Sequence, residues 1–183
     1  MPGKRGLAWI QAHNLTITTT RRNHLILAAT IHDSPTDHGG LHPSLHQARA
    51  NCDHAGITAP MRAHLADAGY ASTTTFTTPA PGILLIATSN EATQTGRTTP
   101  TQPPPPSQHR MTTRLTNPAG AALYRRRSSK VEPAFAQLFH HGGRQLHHRG
   151  PTTATEITLM ATAHNTSKLI THLHRNTPNH HQT

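Results

Sequence analysis

The chain has 183 residues, 33% of them hydrophobic and 3% aromatic, with 15 prolines and a formal charge of +10 from 17 Lys and Arg against 7 acidic residues. That length suits one domain, the charge favours a polyanionic partner such as nucleic acid, and no apolar run approaches the ~18 residues of a membrane-spanning helix. One cysteine, Cys52, excludes an internal disulfide framework and a Cys-based zinc site; the start, MPGKRGLAWIQAHN, lacks the apolar core of a secretory signal.

Leu15–Thr20 is β-branched and reads as a strand, Arg21-Arg22-Asn23 as a turn, and His24–Ile31 as a second strand, together an antiparallel pair. Asp33-Ser34-Pro35 breaks that pattern. Residues 41–55 then carry helical periodicity, with Leu45 and Ala48 on one side and Gly56 as the stop. His64–Asp67 reads as a short strand closed by the turn Asp67-Ala68-Gly69. Gly82–Thr88 (GILLIAT) is the most apolar run and is expected to be a buried central strand. Strands mixed with helices in this order indicate an α/β sheet covered by helices.

Residues 89–117 lose periodicity and contain Thr99-Pro100 and Pro103–Pro106, so a surface insertion or disordered Pro/Thr-rich loop is expected. Leu123, Val131, Phe135, Leu138 and Phe139 follow at helical spacings and would present Glu132 beside Tyr124, Arg127 and Lys130. A carboxylate in a basic helix suits a metal ligand next to a phosphate backbone, or equally a helical charge pair. A closing helix over about 153–175 has an apolar stripe of Ile157, Met160, Ala163, Ile170 and Leu173, read as core. Residues 176–183 are expected to form a disordered tail. The 18 histidines show no grouping with zinc-site spacing.

The order Tyr124-x-x-Arg127-x-x-x-x-Glu132-Pro133-x-Phe135 resembles the C-terminal signature of DDE-type insertion-sequence transposases. Arg149-Gly150 and Glu156…Ala163-His164-Asn165-x-x-Lys168-Leu169 resemble the closing helix of that family. Leu65-Ala66-Asp67-Ala68-Gly69-Tyr70 resembles its segment with the second acidic residue. Leu25-Ile26-Leu27-Ala28-Ala29, Asp37 and Leu41-x-Pro43 fit its early strand and loop.

The resemblance implies a ribonuclease-H-like mixed sheet with flanking helices over residues 1–175, interrupted by the insertion at 89–117. It implies two divalent cations, usually Mg²⁺, held by carboxylates for in-line attack on a phosphodiester. Asp67 and Glu132 become the expected metal ligands. The first Asp is expected near the end of the first strand, where Thr18-Thr19-Thr20 stands. Asp33, Asp37 and Asp53 are the substitutes, and Asp37 matches a position frequently acidic in the family. The family often has a lysine seven residues past the glutamate, where this chain has Phe139. Both departures, and a start lacking the usual DNA-binding portion, lead to the expectation of a truncated or degenerate copy with impaired catalysis.

Arg125, Arg126, Arg127, Lys130, Arg144, Arg149 and Lys168, with Tyr124, are the expected DNA-facing residues, against the alternative of a solvated basic face. The expected partner is transposon-end DNA, the expected assembly a homodimer, and the expected location cytoplasmic and nucleoid-associated. Two readings from other classes stand beside this one: a non-catalytic basic nucleic-acid-binding protein, and a mostly disordered product of biased coding DNA.

Overall fold

The computed structural model describes residues 14–34, 37–88, 105–142, 146–148 and 150–176. The opening strands form as the patterning predicts: β1 (Asn14–Thr19) pairs antiparallel with β2 (Ile26–His32), with a register shift between Thr18 and Thr19. Within the turn, Thr20 exchanges bonds with Leu25 and His24 takes a positive φ of 54°. After a 3₁₀ turn at Asp37–Gly39 comes α1 (Leu41–His54), whose buried face is Leu41, Ser44, Leu45, Ala48 and Cys52. Gly56, at φ 70°, follows its end as expected.

Strand β3 (Ala63–Ala66) pairs parallel with β4 (Ile83–Ile86), and the connection between them holds a second 3₁₀ turn, Ala68–Tyr70, and α2 (Thr73–Thr77). Ser72 caps α2 by accepting from Thr75 N at 3.0 Å. Leu84, Leu85 and Ile86 are buried in succession, so β4 is covered on both faces. Its expected central place is not seen. Among the described residues the strands form two separate two-stranded sheets, β1–β2 and β3–β4, rather than one mixed sheet. Helix α1 joins them: it packs on the hairpin, while Leu41 and Leu45 share a core with Ala66, Leu84, Ile86 and Met111.

Met111 belongs to a helix that the aperiodic sequence concealed. Pro106–Thr116 is α3, which corrects the expected disordered insertion over that part; residues 89–104 lie outside the described residues. Pro106 stands in the first turn, where its missing N–H costs nothing, and Met111 with Leu115 gives the helix one apolar contact line. Asn117 then caps α4 (Pro118–Tyr124). A Cβ at Gly120 would collide with the Arg114 carbonyl, so this glycine lets α3 and α4 fold tightly back on each other.

The single helix expected around Glu132 is broken. Tyr124 ends α4, Arg125–Arg127 form a turn, and Glu132 lies on α5 (Ser128–Gly142). The apolar stripe of α6 (Thr152–Asn176) is also only partly core. Ile157 is buried and Met160 half-buried, but Ala163 is exposed, and Ile170 and Leu173 are 49% and 55% exposed. Beyond His164 and Asn165, which bond the hairpin, residues 169–175 of the helix are exposed. The expected tail falls, from residue 177, outside the described residues.

Candidate active site around Gly69

Asp67 leaves the C-terminal end of β3 in extended conformation (φ −84°, ψ 167°) and caps the following 3₁₀ turn, its Oδ1 accepting from Gly69 N at 2.7 Å. That cap fixes the carboxylate at the strand end while leaving its side chain 56% exposed. Arg127 Nη1 donates to Asp67 Oδ2 at 3.4 Å, a long surface contact of about 0–1 kcal/mol.

Tyr124 holds the same end of both parallel strands. Its hydroxyl donates to Ala66 O at 2.9 Å and accepts from Ala87 N at 3.2 Å, so one side chain bridges the residues that end β3 and follow β4. Burial raises the phenol pKa, an effect offset in part by the Arg127 charge. The Arg127 guanidinium lies 5.7 Å from the Tyr124 ring centroid, so the tyrosine also orients the arginine.

Asp37 reaches this place from the first 3₁₀ turn. A Cβ built on Gly69 would stand 2.8 Å from Asp37 Oδ2 and 3.4 Å from Asp67 Oδ1. The two carboxylates therefore flank one glycine, and any side chain there would displace Asp37. Tyr70 completes the group: its hydroxyl is 3.1 Å from the Thr16 hydroxyl, linking the β3–β4 end of the molecule to the hairpin. Burial is the main cause of its raised pKa, and Asp37 and Asp67 push the same way. Gly40 permits the adjoining contact, because a Cβ there would collide with the His32 ring and the Thr16 hydroxyl.

The other expected residues divide as follows. Thr18 and Thr19 are on β1, as the sequence predicts, and Thr18 bonds the Ser44 hydroxyl at 2.8 Å. Asp53 pairs with Arg49 on α1, and Asp33 lies exposed after β2. Glu132 and Lys130 are placed on α5 by the backbone alone. Arg125 and Arg126 are exposed beside Arg127, whereas Arg144 and Arg149 lie outside the described residues. Lys168 is on α6 and lines a groove with β2 rather than the Gly69 site. Sequence reasoning did not assign Tyr70, Gly69 or Thr16; the run Asp67-x-Gly69-Tyr70 held the local signal for the first two, and nothing local marked Thr16.

Carboxylate oxygens suit a hard divalent cation, and Asp37 and Asp67 supply them from two separate turns. Among the described residues no group of three or more His, Cys, Asp or Glu side chains could hold a metal ion. Residues 89–170 match a family model described as a transposase DDE domain. That stretch contains Tyr124, Arg127 and Glu132 but neither Asp37 nor Asp67. No curated protein and no solved structure matches the chain. Residues 89–170 are thus similar to a portion of a DDE-type transposase catalytic domain.

Proposed function

We propose that the chain takes part in DNA transposition by metal-dependent cleavage and joining of DNA strands at transposon ends, acting as a homodimer and at a reduced rate. The observation that carries this reading is the convergence of Asp37 and Asp67 on Gly69, on the side of Tyr124 and Arg127 that leads into the Glu132 helix. Asp67, Glu132 and Asp37 are the proposed ligands of Mg²⁺. A divalent cation held there supplies positive charge against phosphate oxygens during displacement. The protein's own contributions are steric and electrostatic. The Gly69 amide fixes Asp67, the Tyr124 hydroxyl holds the strand ends together, and Arg127 lies over the ring within reach of a DNA phosphate.

The reduced rate follows from the ligand set. Thr18 and Thr19 occupy the strand position where the resembled pattern has its first Asp, so Asp37 substitutes from a turn. A threonine hydroxyl cannot supply the missing negative charge. Arg125, Arg126, Lys130, Arg144 and Arg149 are the proposed phosphate contacts around the helix, in a cytoplasmic, nucleoid-associated setting.

The test is a nicking and strand-joining assay on labelled transposon-end DNA with Mg²⁺ or Mn²⁺. Slow products are expected, reduced to background by Asp67→Asn, Asp37→Asn or Glu132→Gln. Products that survive Asp67→Asn would refute the assignment. Binding without products in either metal would leave the reading of a non-catalytic basic nucleic-acid-binding protein.

A further inference from the structure

A groove of about 1260 Å³ lies between β2, the end of α1 and the second half of α6, and none of the residues around Gly69 lines it. Its wall on one side is the continuous stretch 22–30 of the hairpin. Opposite stands α6, joined to the strand by two side chains. The Asn165 amide accepts from Ile26 N and donates to Ile26 O, both at 2.8 Å, and the His164 ring bonds His24 O at 2.8 Å.

The lining has one sign of charge. Arg22 contributes from the hairpin, Lys168 and Arg175 from α6, and no Asp or Glu lines the groove among the described residues. Spacing on α6 accounts for the alignment: residues 168, 172 and 175 lie four and three apart, so Lys168, His172 and Arg175 share one face. Apolar contact surface lies beside these cations, from Ile57 (47% exposed) and Leu169 (56% exposed). The Gln137 amide oxygen also lines the groove, is buried, and has no hydrogen-bond partner among the described residues.

We infer that this groove binds a single strand of DNA through its phosphates, separately from the carboxylate site. Charge complementarity identifies the ligand as a polyanion, because three full cations line one cleft in which no described residue contributes a carboxylate. Size selects a single strand: the groove only modestly exceeds the roughly 300–1,000 Å³ of small-ligand sites, so it takes a few nucleotides and not a duplex. Ile57 and Leu169 offer apolar contact to bases without choosing among them, and no Phe, Tyr or Trp ring is among the described lining residues. Binding is therefore led by phosphate and indifferent to sequence. The choice of DNA rests on the transposition reading above, whereas the groove's charge does not.

The experiment is fluorescence anisotropy of the full chain with a labelled oligothymidylate of about 12 nucleotides, in EDTA, across a salt series. Three phosphate contacts predict a slope of log K against log salt near about −2 from this groove, at about −0.7 per contact. Arg22→Ala, Lys168→Ala and Arg175→Ala should each reduce the slope by about 0.7, and the triple variant should lose most of the affinity. Arg22 and Arg175 are exposed and Lys168 is half-buried, and unchanged thermal melts check that each variant folds. Binding in EDTA is read without any cleavage, which separates failure of the cleavage reading from failure of this one. Unchanged binding by the triple variant would overturn the assignment. So would tighter binding to duplex or RNA of the same length, equal competition by polyglutamate, or a groove closed by self-association in sedimentation.

Discussion

The parallel pair β3–β4 buries Leu84, Leu85 and Ile86 one after another, while the hairpin β1–β2 is rich in threonine and buries only Thr16, Ile26 and Ala28. The first is held by apolar contact with α1 and α3, and by Tyr124 across its end. The second is held largely by polar side chains: Thr18 to Ser44, Thr16 to Tyr70, and Asn165 to the Ile26 backbone. A chain with few large aliphatic residues concentrates them in one sheet and uses hydroxyls and amides to attach the other. Polar attachments are directional and each contributes modestly, so the hairpin depends on geometry where the parallel pair depends on area.

Truncating Ile86 to Ala should have the largest effect, a loss of about 2–5 kcal/mol in urea unfolding, because the side chain is fully buried between two layers. Asn165→Ala should cost less, about 1–3 kcal/mol, since it strips two partners from the buried backbone of Ile26. Its signature is faster hydrogen exchange at the Ile26 amide with β4 amides unchanged. Equal acceleration in both sheets would mean that the hairpin is not attached independently.

The smallest effect expected is a dependence on pH through His64. This residue is on β3, donates to Pro81 O at 2.9 Å, and has its pKa lowered from 6.5, chiefly by burial and against the pull of that carbonyl. Below pH 6.5 the unfolded chain takes up a proton that the folded chain resists. The contribution is therefore complete above that pH and is lost as pH falls through the lowered folded value. Melting temperature should drop from pH 7.5 to 5.5, and His64→Gln should flatten the drop. A flat profile in the parent would remove His64 from the account of the parallel pair.

Much of the local structure was legible without coordinates. The hairpin, α1, the short strand before Asp67, the apolar strand and the closing helix all follow from periodicities of two or 3.6 and from turn residues beside them. Helix α3 was not legible, because its run PSQHRMTTRLT is mostly polar and its place comes from Met111 and Leu115 packed on the core. Nor was the break between Tyr124 and Glu132. The residues on either side favour helix, and it is the Tyr124 hydroxyl binding across β3 and β4 that accompanies the end of α4 there.

By itself the sequence determined the basic charge, the order of the elements and the motif that joins Tyr124, Arg127 and Glu132, since each of these is carried by neighbouring residues. The tertiary structure alone decided that Asp37 meets Asp67 across Gly69, and that Arg22, Lys168 and Arg175 line one groove. Those partners stand far apart along the chain. Their approach depends on helix α1 spanning the two sheets and on Asn165 fastening α6 to β2, and neither contact leaves a periodic trace in the sequence.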